Sequence, residues 1–283
     1  MPNYTANGEV GFDAVSLSWT GKRAPKDNDP LSGQLIAGYA APNPWLGMLG
    51  LNGRPSHIFN ASSPQDSLLQ TLVQKKDIHA HYWGYTASSQ NVTPPTFGSL
   101  TFGGYDAART DMSTALKVPF GHDTTHDLLV AITHISISGA PIPGLPIYTF
   151  IDSVVPEIWL PEATCDAFEA ALGLVWNETV QMYLVNDTQH AKLSSESPSV
   201  TFFLAAQPNS PEIEIILPYA AFDLTARYPV AGIQDNSTAL RYFPLKRANG
   251  TAQYYLGRTF LQYAYVVATY RAMRPRALTG VDM

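Results

Sequence analysis

Apolar and polar residues alternate along several short segments of this chain. The clearest cases are Gly8 to Trp19 and the second half of Asp127 to Ser138, and both segments are bounded by nearby glycine or proline. Alternation with a period of two is typical of a strand with one buried and one exposed face. Glu212 and Glu214 alternate with isoleucines in the same way, so we expect both carboxylates on the exposed face of a strand.

Helical periodicity is confined to two short segments, Ser67 to Lys76 and Glu162 to Leu172. Their apolar stripes are formed by Leu68, Leu69, Leu72 and Val73, and by Cys165, Phe168, Ala171 and Leu172. Many short strands with Gly/Pro turns and two helices predict a mostly β protein of the barrel or sandwich class. The 22 prolines are spread along the chain, so no linker separates independent modules.

Composition excludes several classes of partner. A chain of 283 residues with 45% hydrophobic content can bury a large core, as one β unit or as two lobes. The formal net charge is -6 and there is no block of Lys and Arg, which argues against nucleic acid. No apolar run approaches the roughly 20 residues of a membrane-spanning helix.

Asparagine occurs unusually often in the Asn-x-Ser/Thr pattern of N-glycosylation. Seven of the twelve asparagines have it, where chance would give about two. We therefore expect a secreted protein or one of the secretory pathway. The N-terminus has no signal-peptide character, so we expect that the polypeptide once began further upstream, with a signal peptide and more of the fold. The candidate glycosylation sites are Asn3, Asn60, Asn91, Asn177, Asn186, Asn236 and Asn249.

The single cysteine, Cys165, has two interpretations. In an exported protein it is the odd cysteine of a pair whose partner lay in a missing segment. Alternatively it is a buried free thiol that packs as a small hydrophobe.

No metal or cofactor is expected. His79 and His81, and also His122 and His126, have spacings that a metal could use, but no carboxylate or thiol cluster surrounds them. Surface or structural histidines are the favoured interpretation. There is also no Gly-x-Ser-x-Gly motif and no Gly-rich phosphate loop.

One segment brings a carboxylate and a hydroxyl into a turn between two apolar strands. It runs from Tyr148 to Pro161, and Asp152, Ser153 and Val154 stand at the turn. Two other segments, Pro44 to Leu51 and Tyr255 to Val267, each place a glycine after apolar residues and so form an internal repeat.

These segments resemble those of the pepsin-like aspartic proteases. Asp152 to Val154 is similar to the family's Asp-Ser/Thr-Gly turn, with valine in place of glycine. The repeated glycine segments resemble those that pass behind the catalytic turns, and Leu100 to Asp106 is similar to the strand that closes the first lobe. Gly8 to Leu17 resembles the strand that leaves the active-site flap. The two helices follow in the family's order.

The resemblance implies a mostly β, bilobal pepsin-like acid protease fold with an incomplete first lobe. Residues 1–115 are then the remnant of the N-terminal lobe, residues 116–271 the C-terminal lobe and residues 272–283 a tail. Gly50 and Gly257 would pass close to another backbone, which a side chain would prevent.

The resemblance also implies the site. Asp152 would be a catalytic carboxylate, its side chain would accept backbone N-H groups, and Ser153 would reach the opposite lobe. Val154 keeps one N-H but is expected to strain the turn. Tyr4 is the possible flap tyrosine. The chain contains no second Asp-Ser/Thr-Gly turn.

Two functions from different classes follow. The first is an aspartic-type endopeptidase homologue, inactive as this chain stands because one of two catalytic carboxylates is present. The second is a non-catalytic secreted glycoprotein that keeps the cleft for peptide binding or as a structural scaffold. In both cases we expect a monomer, with a peptide or protein partner in the cleft between the lobes.

Overall fold

The computed structural model describes residues 8–17, 30–39, 47–57, 64–89, 95–123, 126–228, 230, 233, 235, 238–270 and 276–280. The chain divides into two compact units. The first contains residues 1–83, 102–104 and 269–274, and the second contains residues 84–101, 105–268 and 275–283. The boundary expected at residue 115 lies inside the second unit. The predicted flap residue Tyr4 lies outside the described residues.

The first unit contains an antiparallel hairpin of β1 (Gly8–Val15) and β2 (Leu31–Tyr39). The register pairs Gly8 with Tyr39 and is irregular between Asp13 and Val15. The predicted strand from Gly8 is therefore present. Its residues are exposed except for the half-buried Val15, so the alternation does not produce a buried face in the described part of this hairpin.

The helix α1 (Leu68–Gln74) confirms the first predicted helix. The Ser67 side chain caps it by accepting the Gln70 N-H at 3.2 Å. Gln34 of β2 donates to the Thr71 hydroxyl at 3.0 Å, which ties the helix to the hairpin. Of the predicted stripe, Leu69 and Leu72 are buried and the other two residues are half-buried.

The remaining elements are mostly short strands. They are β3 (Tyr82–Thr86), β4 (Ser99–Phe102), β5 (Leu116–Val118), β6 (Leu129–Ile137), β7 (Ala140–Pro141), β8 (Ile147–Ile151), β9 (Ile158–Leu160), α2 (Glu162–Leu172), β10 (Val175–Asn177), β11 (Met182–Leu184), α3 (Asp187–Glu196), β12 (Ser199–Ala205), β13 (Glu212–Pro218), β14 (Leu224–Arg227), β15 (Ala239–Phe243), β16 (Leu245–Arg247), β17 (Tyr255–Leu256), α4 (Arg258–Leu261), β18 (Ala264–Thr269) and β19 (Arg276–Gly280). None of the described helices is long and apolar enough to cross a membrane.

The second unit is built on an eight-stranded sheet with the order β13-β12-β6-β8-β17-β9-β16, in which β7 also pairs with β6. A four-stranded sheet has the order β10-β11-β15-β14, and a five-stranded sheet the order β4-β3-β18-β19-β5. The central strands β6 and β12 are antiparallel and bury Ile132, Ile135 and Phe202 completely. Glu212 and Glu214 lie exposed on the edge strand β13, which confirms the predicted outer face.

The helix α2 has the predicted bounds and buries Thr164, Cys165, Phe168 and Leu172. Ala171 of the predicted stripe is exposed instead. The helix ends at Gly173, whose φ of 64° is left-handed and therefore favours glycine. The helix α3 was not predicted, because Leu193 is its one buried residue and no apolar stripe marks it.

The strand β17 separates two strands that are neighbours in sequence. It pairs in parallel with β8, where Leu256 lies opposite Ile151, and antiparallel with β9, where Leu256 lies opposite Ile158. The connection between β8 and β9 must therefore pass over the end of β17. That connection contains Asp152.

The predicted tail is wrong for residues Arg276–Gly280. These residues form β19, which pairs antiparallel with β18 on one side and with β5 on the other. Leu278 and Thr279 are buried. The segment carries one large apolar residue, so its local sequence signal is weak, and its order comes from the two neighbouring strands.

Candidate active site

Asp152 follows the last residue of β8 and begins the turn that leads to β9. The residue is half-buried, and its backbone N-H donates to the Leu256 carbonyl at 3.2 Å. Because Leu256 is the last residue of β17, this bond attaches the start of the turn to the inserted strand. The carboxylate thus stands at the end of the buried sheet and outside its core.

The Asp152 side chain stabilises its own turn. Oδ1 accepts the Val154 N-H at 2.8 Å, which is the hydrogen bond that the sequence predicted to survive the replacement of glycine. The expected strain at Val154 is absent. Among the described residues the non-glycine positions with positive φ are Lys76, Ser138, Gln181 and Ser197, so Val154 keeps an ordinary backbone conformation.

Gly257 permits a close approach between the strand β17 and the turn. A Cβ atom at this position would lie 2.3 Å from the Val155 carbonyl oxygen and 2.2 Å from that of Glu157. No side chain fits at such distances, so the predicted role of Gly257 matches the geometry. For Gly50 the same reason does not hold, since no described atom lies within 4 Å of its ideal Cβ.

Arg258 contacts three consecutive carbonyl groups of the turn. Its Nη1 donates to the carbonyls of Ser153 at 2.9 Å and Val154 at 3.0 Å. Its backbone N-H donates to the Val155 carbonyl at 2.8 Å. The sequence analysis missed this residue. Its position directly after Gly257 could have marked it as a neighbour of the turn. Nothing in the sequence, however, indicates that three backbone carbonyls of the turn point toward it.

A buried carboxylate lies at the far end of the same turn. Glu157 is buried and accepts the Trp159 indole N-H at 3.3 Å. Lys246 of β16 lies 3.5 Å from the other carboxylate oxygen and 5.5 Å from the Trp159 ring centroid. An ion pair and a hydrogen bond thus stabilise Glu157, and a cation-π contact holds their two donors together; the sequence analysis did not identify these contacts.

Two phenols lie within the field of the Arg258 charge. Burial, assisted by the Glu157 carboxylate and opposed by the Arg258 guanidinium, raises the pKa of Tyr242 to about 12. Burial also raises the pKa of Tyr85, again opposed by Arg258. The surroundings of the turn therefore contain neutral phenols and the positive charges of Arg258 and Lys246.

Cys165 is a fully buried free thiol. Burial raises its pKa from 9.0 to about 12, and its Sγ lies 3.5 Å from the Lys246 carbonyl oxygen. This environment fits the second interpretation, a small hydrophobe in the core.

The other predicted site residues are spread over the chain. Asn186 and Asn249 are exposed and Asn177 is half-buried, while Asn3, Asn60, Asn91 and Asn236 lie outside the described residues. Ser153 is half-buried, and its reach toward another lobe stays a prediction. Among the residues that the structure describes, no group of three or more His, Cys, Asp or Glu side chains could hold a metal ion.

The fold is similar to that of a solved aspartic proteinase from Irpex lacteus. The two share 15% sequence identity with a TM-score of 0.61, over 97% of this chain and 83% of the other. No protein-family model and no curated protein sequence matches this chain. The predicted fold class, a mostly β pepsin-like aspartic protease fold, is confirmed. Membership of the pepsin-like family stays a prediction.

Proposed function

We propose that this chain is an aspartic endopeptidase homologue in which Asp152 is the retained catalytic-type carboxylate. The observation that carries the proposal is the placement of Asp152 in the β8-β9 turn, over the end of β17 and beside Gly257. The likeness to a solved aspartic proteinase supports the same assignment.

We further propose that a polypeptide of these 283 residues does not hydrolyse peptide bonds. An aspartic protease activates water with two carboxylates that share one proton, because like charges about 3 Å apart cannot both ionise. One group takes a proton from water while the other holds the complementary charge. The sequence supplies one Asp turn of this kind, and losing one member of such a unit costs about 10⁴-fold or more in rate.

The test is an assay of the purified chain with an unfolded protein substrate at roughly pH 3 to 5, where a carboxylate pair would hold its single proton. We expect no cleavage above background, with or without a transition-state-mimicking peptide inhibitor. The matched variants are Asp152→Asn and, as the control, the exposed Asp77→Asn. Inhibitor-sensitive cleavage that Asp152→Asn abolishes and Asp77→Asn retains would contradict the proposal of inactivity.

The second candidate function is a non-catalytic secreted glycoprotein. The observation in its favour is the exposure of the candidate glycosylation sites Asn186 and Asn249. In this role the chain is a monomer of the secretory pathway that binds a peptide or serves as a scaffold. Calorimetric titration with the same peptide inhibitor tests the peptide-binding form. Saturable binding that Asp152→Asn weakens supports it, and the absence of binding leaves the purely structural form.

A further inference from the structure

Arg258 and Asp152 contact opposite ends of a single peptide group. Arg258 Nη1 donates to the Ser153 carbonyl at 2.9 Å, and the Val154 N-H donates to Asp152 Oδ1 at 2.8 Å. That carbonyl and that N-H belong to the same peptide unit. The unit is trans, since the one cis bond among the described residues joins Leu145 and Pro146. In a trans unit the two groups point in opposite directions.

The result is a continuous chain of hydrogen bonds from a cation to a carboxylate. The guanidinium withdraws electron density through the Ser153 carbonyl, which makes the Val154 N-H a stronger donor to Asp152. Hydrogen bonds in series polarise one another in this way, and those with an ionised partner are the strongest. Arginine is always charged in proteins, so the effect is permanent.

Both the backbone and the side chain of Arg258 are bound to the turn, so the residue is held in place. Its backbone N-H donates to the Val155 carbonyl, and its neighbour Gly257 brings its backbone close to the same turn. The side chain then returns to the two preceding carbonyls. Both ends of the residue are therefore fixed to one turn, and little conformational freedom remains to be lost.

We propose that Arg258 is a positioning residue that orients the Asp152 carboxylate through the Ser153-Val154 peptide group. The inference rests on the proposed role of Asp152 for its functional meaning, but its geometry is independent of any activity. Val154 supplies the N-H that Asp152 accepts, and the guanidinium fixes the plane of the peptide that carries this N-H.

The test measures the Val154 amide by NMR in the full chain with 15N-labelled valine. In Arg258→Gln the cationic donor is lost, so we expect the Val154 N-H to exchange about tenfold faster and its proton resonance to move upfield. Asp152→Asn should move the same resonance. Arg258→Lys keeps the charge but not the planar geometry, and it should restore part of the protection.

Two controls separate this role from a general loss of stability. Val130 in β6 is fully buried, and its amide should exchange at an unchanged rate in every variant. Arg241→Gln removes an exposed arginine that pairs with Asp187 outside the turn, and Val154 should be unaffected. Arg258→Lys serves as the test if Arg258→Gln does not fold.

Two results would overturn the proposal. One is an unchanged Val154 resonance and exchange rate in Arg258→Gln. The other is an equal acceleration at Val154 and Val130, because that shows a loss of global stability alone. Neither measurement uses a substrate, so neither result bears on the proposed function, which the cleavage assay tests separately.

Discussion

At the scale of single residues, the turn around Asp152 depends on one position without a side chain and one with a long side chain. Gly257 removes the obstacle to close packing, and Arg258 then contacts the carbonyls that this packing brings near. The two residues are adjacent, so a change at either one affects the same turn between β8 and β9. Their effects should nevertheless differ, since one is steric and the other electrostatic.

The steric effect predicts that Gly257→Ala lowers the free energy of unfolding by about 3 kcal/mol, because the new methyl group would overlap two carbonyl oxygens. Urea denaturation measures the loss. Gly250→Ala is the matched control, since no described atom lies within 4 Å of its ideal Cβ and its φ of 172° is ordinary extended backbone. Equal stability of the two variants would contradict the close approach.

The role of Gly257 was predicted from the resemblance to the family's glycine segments and from their order, since such a segment alone is a weak signal and no described atom lies close to the ideal Cβ of the corresponding Gly50. The roles of Arg258 and Glu157 were not. Their partners are backbone carbonyls of the turn and Lys246 and Trp159, and these contacts depend on the distant strands β16 and β17 lying beside β9. No local pattern in a sequence contains such a contact.

At the scale of elements, the predictable ones carry their own hydrophobic pattern. The helix α2 was predicted with its bounds because its apolar stripe faces the core. By contrast, β19 was missed because five residues with one large apolar side chain have no stripe. Its backbone pairs with β5 and β18, so the strand forms because of these neighbours and not because of its own sequence.

Leu278 should therefore matter despite its weak sequence context. It is 2% exposed, and we expect Leu278→Ala to lower the free energy of unfolding by about 2 to 4 kcal/mol through a lost side chain and a cavity. Ile216→Ala, at a position that is 54% exposed on β13, should change it by less than about 0.5 kcal/mol. Chemical denaturation compares them. If residues 276–280 were unstructured, Leu278→Ala would lower the free energy of unfolding as little as Ile216→Ala, and this result would contradict the prediction.

At the scale of the whole molecule, the order of weak motifs predicted the fold better than any one of them. Short strands, the Asp152 turn and the Gly257 segment each occur in many proteins, but their sequence order matches a single architecture, and the structural likeness agrees with it. The structure does not test the predicted secretory origin. It shows that none of the three described candidate glycosylation sites is buried.

Export and glycosylation can be tested on the chain produced through a secretory pathway. We expect a mass decrease on treatment with a peptide N-glycosidase, because exposed sites accept oligosaccharide. Asn186→Asp should remove one glycan while keeping the helix cap, since Asn186 Oδ1 accepts the Gln189 N-H at 2.9 Å and aspartate can do the same. Thr188→Ala should remove the same glycan and leave Asn186 itself in place. An unchanged mass in the treated wild-type chain would count against the secretory assignment.

The insertion of β17 between β8 and β9 also fixes an order of events during synthesis. The ribosome makes β8, the turn and β9 about 100 residues before Tyr255 and Leu256, so the pairing that frames Asp152 is a contact of high sequence separation. A nascent chain that ends before residue 255 contains Asp152 but lacks both the Leu256 carbonyl and the Arg258 side chain that bind the turn. The turn is thus completed late in synthesis, only after Tyr255 and Leu256 have been made, and a polypeptide that stops before them lacks the strand that separates β8 from β9.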